Sequence, residues 1–158
     1  MFKRNKTALV TYVSKTGHTR QAAEDVAKGL RLAGAKTMVK QLSEVDKEEL
    51  KSYRILAVGS PTHGGKPARA VRRYLKGLGK KELKGKTAAG FSAYAGMRGK
   101  NTVKVLRKQL RKKGARVVKP GVAVKAGAPL SLWKGPDASE QDVARLIELG
   151  RTLGRKRR

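Results

Sequence analysis

Three short segments hold the residues most able to do chemistry. The first, Ser14-Lys15-Thr16-Gly17-His18-Thr19, puts three hydroxyls, one cation and one glycine between an apolar run and a helical pattern that begins at about Thr19. Backbone N–H groups at a helix N-terminus have no intrahelical partner, and with the helix dipole they form an anion site. The hydroxyls of Ser14, Thr16 and Thr19 can donate to phosphate oxygens without adding formal charge, and Lys15 adds one positive charge. Taken alone, Thr-Gly after a strand also describes an ordinary capped turn.

The second segment, Ser60-Pro61-Thr62-His63-Gly64-Gly65-Lys66-Pro67, has two prolines that fix φ and two glycines that free it. Such a loop can lay bare backbone against a flat ligand. The third, Ala93-Tyr94-Ala95-Gly96-Met97-Arg98-Gly99-Lys100, is rich in small residues and holds one aromatic ring. Two backbone-rich loops above a phosphate site suit a planar ring with a phosphorylated tail. Other nucleotide loops fit badly. Gly59 to Pro67 has glycine where G-x-x-x-x-G-K-[ST] needs lysine and does not end in Ser/Thr, and Gly77-Leu78-Gly79 is followed by Glu82 where G-x-G-x-x-G needs glycine. His18 and His63 are the only histidines and the chain has no cysteine, which argues against a metal site; no G-x-S-x-G nucleophile elbow is present.

The elements that position these segments follow from apolar spacing. Thr7–Val13, Arg54–Gly59 and Thr87–Ser92 read as buried strands, and Thr37–Leu42 as an edge-like strand. Arg116–Val124 reads as a strand broken at Pro120-Gly121. Helical stripes run through Ala23/Val26/Ala27/Leu30, Ala68/Val71/Leu75/Leu78, Val103/Leu106/Leu110 and Val143/Leu146/Ile147/Gly150/Leu153. Gly34 and Gly114 end two of these helices, and Asp137 or Ser139 caps the last. Asp46–Ser52 makes one short helical turn. Strands alternating with helices predict an α/β fold: a three-layer αβα, doubly wound, five-stranded parallel sheet in the order 2-1-3-4-5. Its ligand site lies past the C-terminal strand ends, where strand order reverses. The expected organisation is one domain over 1–154 and a basic disordered tail over 155–158.

Charge sets this chain apart. Lys and Arg number 39 against 11 Asp and Glu, a formal charge of +28. Apolar content of 39% separates it from a disordered basic tail. No apolar stretch approaches the length of a membrane span and no signal-peptide run follows the N-terminus, so a cytoplasmic location is expected. From Lys51 to Lys134 the single acidic residue is Glu82. So high a charge reflects either a general surface adaptation or an anionic partner.

The three segments, in order, resemble the flavodoxin family, whose cofactor is flavin mononucleotide (FMN). Ser14 to Thr19 is similar to its S/T-x-T-G-x-T phosphate loop, and Gly59 to Pro67 to the G-S-P-T-x-x-G-x-P form of its second loop. Phe91-Ser92-Ala93-Tyr94 and the stretch from Pro136-Asp137 to Gly150-Arg151 resemble the flavodoxin modules of flavo-diiron proteins. The resemblance implies that Ser14, Lys15, Thr16, Gly17, His18 and Thr19 hold the phosphate. It implies that Ser60, Pro61, Thr62, His63, Gly64 and Gly65 line one face of the ring, and Tyr94, Ala95, Gly96 and Met97 the other. Two departures stand out: the family is usually acidic, and bulky ring-stacking aromatics are thin here. His63 and Gly96 fall near their positions, and Trp133, in the loop after the fifth strand, is a candidate to compensate.

The function so implied is electron transfer between redox partners. A rim of Arg69, Arg72, Arg73, Lys104, Arg107 and Lys108, on helices that begin at two of the loops, would steer an acidic redox protein, either ferredoxin-like or a reductase. Such cations would also raise the flavin potential relative to an acidic flavodoxin. One alternative is a flavin-dependent NAD(P)H/quinone-type reductase. Another is a polyanion or nucleic-acid-binding module that has kept the fold; with seven aromatic residues, base stacking would be poor.

Overall fold

The structure is a computed structural model and describes residues 6–14, 17–119, 121–126 and 137–155. Lys15, Thr16 and Trp133 lie outside the described residues, as do Pro120 and the last three residues of the chain. Strands β1 (Thr7–Tyr12), β2 (Lys36–Gln41), β3 (Ile55–His63) and β5 (Thr87–Tyr94) form the parallel sheet. They alternate with helices α1 (His18–Leu32), α2 (Arg69–Lys76) and α3 (Gly99–Lys112), and α4 (Glu140–Arg155) follows the last strand. The order is β2-β1-β3-β5, continued by β6 (Arg116–Val117). This is the expected doubly wound order, with β2 at the edge and β3 at the centre.

Two details depart from five uniform strands. The fifth position is filled by two pieces, β6 and β7 (Val122–Lys125), which both pair with β5 in parallel. The break lies between Val117 and Val122, in the stretch where the sequence carries Pro120-Gly121. The short strand β4 (Lys66–Pro67) pairs back on β3 antiparallel, so the second segment is a hairpin rather than an open loop. At the C-terminus, Arg155, expected in the tail, is the last residue of α4, where its guanidinium pairs with Glu148 at 2.8 Å.

The period-two alternation of the strands sorts the core into two layers. Ala8, Val10, Tyr12, Ala57 and Phe91 pack with α1 and α4 on one face. Leu9, Leu56, Val58 and Ala88 pack with α2 and α3 on the other. Between these layers the register Gly59↔Phe91 lets the Phe91 ring lie over β3, because a Cβ on Gly59 would fall 2.2 Å from it. Lys86 is 9% exposed and donates to the carbonyls of Leu50 (2.7 Å) and Tyr53, which ends the 3-10 turn Glu48–Ser52 before β3 begins. Its burial pulls the ammonium pKa below the usual lysine value.

The helix that opens at the first segment is fixed by an unusually close crossing. A Cβ on Gly29 of α1 would stand 1.9 Å from the carbonyl oxygen of Ile147, and one on Gly150 of α4 would stand 2.0 Å from that of Val26. The two backbones therefore touch directly, as small residues permit. Ser139 is the residue that caps α4: the Asp142 N–H donates to its Oγ at 3.1 Å.

Candidate functional site

The three segments meet at one edge of the sheet, beyond the C-terminal ends of β1, β3 and β5. β1 and β3 flank the point where the chain, having gone out to β2, crosses to the other side of the sheet, the usual ligand crevice of this architecture.

Gly17 is the N-cap of α1 with φ 93° and ψ −7°, and as glycine it offers no side chain to cap the helix. Its own N–H donates to Ser14 Oγ at 3.0 Å. Ser14 therefore uses its oxygen as an acceptor, a role in which its hydroxyl proton is still able to donate. The first turn of α1 holds no acid, so nothing on the helix neutralises the N-terminal dipole. Thr19 and His18 are buried in this turn, and the His18 Nδ1 lies 3.8 Å from Asp137 Oδ1. His18 thus lies toward the approach to α4. A cleft there is lined by Gly17, His18, Gln21, Asp25, Asp137 and Val143. Burial raises the Asp25 carboxyl above its usual pKa, and a 3.3 Å hydrogen bond from Gln21 opposes the shift.

The second segment is a two-residue hairpin. His63 pairs with Lys66 and Thr62 with Pro67, and Gly64 and Gly65 turn at φ 59° and 79°. Two central residues with positive φ match the right-handed twist of the flanking strands, and glycine adopts that conformation without strain. Ser60 is fully buried: its hydroxyl donates to the Pro61 carbonyl at 2.8 Å and accepts from the Ala68 N–H at 2.7 Å. It holds the hairpin to the start of α2 from beneath. Thr62 and Ser92 share a hydroxyl–hydroxyl bond of 2.9 Å that ties the second segment to the third. His63 and Gly64 are exposed.

In the third segment, Tyr94 is half-buried, and its ring rests on Gly99, where a Cβ would come within 2.2 Å. Ala95 is half-buried, Gly96 is exposed, and Met97 is 77% exposed. Arg98 takes a left-handed conformation, φ 68°, that starts α3. The Asn101 amide donates to the Gly65 carbonyl at 2.6 Å. Sequence reasoning had not singled out Asn101. Its type and position just inside a helix are common, and only the fold brings it to the hairpin.

A phosphorylated planar cofactor fits this edge. Gly17, Gly64 and Gly96, one from each segment, have no atom within 4 Å of where a Cβ would stand. The α1 N-terminus offers uncapped donors to a phosphate, and the hairpin and the Tyr94–Met97 turn offer backbone on two sides. No three His, Cys, Asp or Glu cluster as a metal site among the described residues.

The fold and the edge define an αβα protein of the mononucleotide-binding kind. A sequence model of the flavodoxin family matches residues 10–132. The chain is 39% identical over 99 residues to a flavodoxin of Aquifex aeolicus, covering 60% of this chain and 54% of that one. It is 30% identical over 115 residues to an NAD(P)H dehydrogenase (quinone) of Gluconacetobacter diazotrophicus, covering 58% of each. It thus spans little more than half the length of these curated relatives. A flavodoxin structure from the domain Archaea superposes with a TM-score of 0.77 at 23% identity, over 94% of this chain and 96% of that one, which shows the shared fold. The chain belongs to the flavodoxin family, and its cofactor is FMN.

The hairpin gives a first test. Gly65→Val places a β-branched residue at φ 79° and against the Arg98 side chain, 3.0 Å from the Cβ position. Left-handed backbone costs about 1–2 kcal/mol in a non-glycine residue. FMN affinity should fall by about tenfold, the equivalent of ~1.4 kcal/mol, with unchanged far-ultraviolet dichroism. Unchanged affinity in a fluorescence titration would remove the hairpin from the site.

Proposed function

We propose that this protein carries electrons between redox proteins in the cytoplasm as an FMN-binding flavodoxin with an acidic partner. The convergence of the three segments on one edge, under an uncapped and acid-free α1 N-terminus, supports this reading most directly. Ser14, Lys15, Thr16, Gly17 and Thr19 would hold the phosphate, with His18 in the same turn. Pro61, Thr62, His63, Gly64 and Gly65 would flank one side of the ring, with Ser60 supporting them from within. Tyr94, Ala95, Gly96 and Met97 would flank the other. When bound, FMN supplies the redox chemistry, and the protein supplies binding, orientation and electrostatics. Among the described residues, no helix is long and apolar enough to cross a membrane.

The partner's charge is read from the residues beside the edge. Lys66, Arg69, Arg98 and Lys100 are exposed around the hairpin and the first turns of α2 and α3. Arg72 lies one turn down α2, with its Nε donating to the Pro67 carbonyl at 3.2 Å. Arg73 is beside it. Lys104, Arg107 and Lys108 lie roughly 8, 12 and 14 Å along α3 from Gly99, at 1.5 Å per residue. They steer at long range, while Arg69 and Arg72 stand close enough to touch a docked protein.

Stopped-flow transfer from the reduced, FMN-loaded protein to an acidic ferredoxin-type acceptor tests this. The Debye length shrinks from ~30 Å at 0.01 M to ~10 Å at 0.1 M salt, so the second-order rate should drop by about tenfold or more over that range. Reversing Arg69 and Arg72 to Glu should reproduce the loss at low salt and leave FMN affinity unchanged. Reversing Lys28 and Lys36, on α1 and the edge strand, should do little. Equal loss from both pairs would make the effect one of global charge and remove the docking edge.

A further inference from the structure

The fold segregates the charge, and the cationic surface extends well beyond the cofactor edge. Helices α2 and α3 carry ten Lys and Arg and no Asp or Glu, whereas α1 and α4 carry six Lys and Arg against five acids. α2 and α3 cover the same face of the sheet and touch each other. On α3, Lys100, Lys104, Lys108 and Lys112 recur every four residues and all are exposed. This ladder runs for roughly 18 Å at 1.5 Å per residue, away from the edge where the three segments meet. Arg73, Lys76, Lys104, Lys108, Arg111 and Lys112 form no ion pair with any described residue.

The composition of this face discriminates between partners. Protein–protein interfaces have an apolar or aromatic centre within a polar rim. The large exposed hydrophobics among the described residues are Leu32, Met38 and Met97, and none lies on α2 or α3. A face that is polar, wholly cationic and without an apolar centre has the make-up of a surface for a nucleic-acid backbone. Single strands are held by stacking bases on aromatic rings, and the one aromatic residue of α2 and α3 is Tyr74, which is half-buried. Duplex RNA is read largely through its 2′-hydroxyls, for which the exposed part of α3 offers Asn101 alone. Duplex DNA carries one phosphate per ~3.4 Å of axis on each strand, so the lysine ladder faces about five phosphates.

We propose that the α2–α3 face binds the phosphodiester backbone of duplex DNA without sequence preference, apart from the cofactor edge. Its affinity comes from release of counterions and falls steeply with salt. This goes beyond the electron-transfer reading and does not require it.

The experiment is fluorescence anisotropy of a labelled 20-base-pair DNA duplex titrated with the full, FMN-loaded chain. Binding should be micromolar at low salt, with log affinity falling against log salt at a slope of about −4, as four lysine–phosphate contacts require. Changing Lys104, Lys108 and Lys112 to Glu should weaken binding by at least tenfold at low salt, with FMN content and thermal midpoint confirming that the variant folds. Changing Arg20, Lys28 and Arg151 to Glu, the same charge change on the α1–α4 face, should have less than a third of the effect on the logarithm of affinity. The proposal fails if no anisotropy change occurs at 50 mM salt, if the two triple variants lose equally, or if a single strand or an RNA duplex of the same sequence binds more tightly. It also fails if the lysine variant keeps its DNA affinity but slows transfer to the acidic ferredoxin-type protein, which would assign the face to a protein.

Discussion

Valine in place of both Thr16 and Thr19 should lower affinity for FMN by a hundredfold or more, while riboflavin binding changes little. The substitution keeps shape and removes two hydroxyl donors from the segment that opens α1. Hydrogen bonds to a charged group contribute about 1.5–3 kcal/mol each, and riboflavin lacks the phosphate that would receive them. Thr19 is buried in the first turn of α1, whose N-cap, Gly17, has left-handed backbone and no side chain to cap the helix. Parallel fluorescence titrations of the variant with both ligands check the result. Equal losses for FMN and riboflavin would place the phosphate elsewhere.

The second large effect concerns what holds that helix in place. Gly150→Ala should destabilise the protein by about 3 kcal/mol, although alanine is the better helix former by nearly 1 kcal/mol. The added methyl would stand 2.0 Å from the Val26 carbonyl oxygen and 2.7 Å from the Leu30 nitrogen. Both are backbone atoms, so α1 and α4 must separate and part of their shared core must loosen. A thermal midpoint lower by roughly 6–12 °C follows for a chain of this size. Arg151→Ala, on the exposed face of the same helix, should stay within about 0.5 kcal/mol of the parent. An unchanged or raised midpoint for Gly150→Ala would mean that the helices do not approach this closely.

The alternation of strands and helices was legible because each buried strand is a short continuous apolar run and each helix keeps a one-sided stripe. Arg54–Gly59 between two helical stripes admits little but a central strand, and it became the core of β3. Pro120-Gly121 marked the break in the fifth strand. Both pieces of that strand, Arg116–Val117 and Val122–Lys125, pair with β5, as the expected strand order requires. In the second segment, two prolines suggested a loop. Gly64-Gly65 between His63 and Lys66 was a hairpin signal that the prolines outweighed, and β3 runs through Pro61, which pairs with Ala93 of β5, into the hairpin with β4. Ser60 carried the right residue type for a ligand, but burial gave it a structural task. The Gly29–Gly150 crossing had no local signature, since small residues at helical spacing read as ordinary stripe members until two helices are brought together. Charge was readable both as a total and as a basic stretch from Lys51 to Lys134 with one acid; the fold adds that α2 and α3, with ten cations and no acid, lie side by side on one face of the sheet.

The most direct measurement is a titration of apoprotein into FMN, followed by flavin fluorescence and visible absorption. One FMN per chain, with quenched fluorescence and perturbed visible bands at micromolar protein, is the predicted result. Fluorescence that stays unquenched at that concentration would contradict FMN binding while leaving the αβα fold intact.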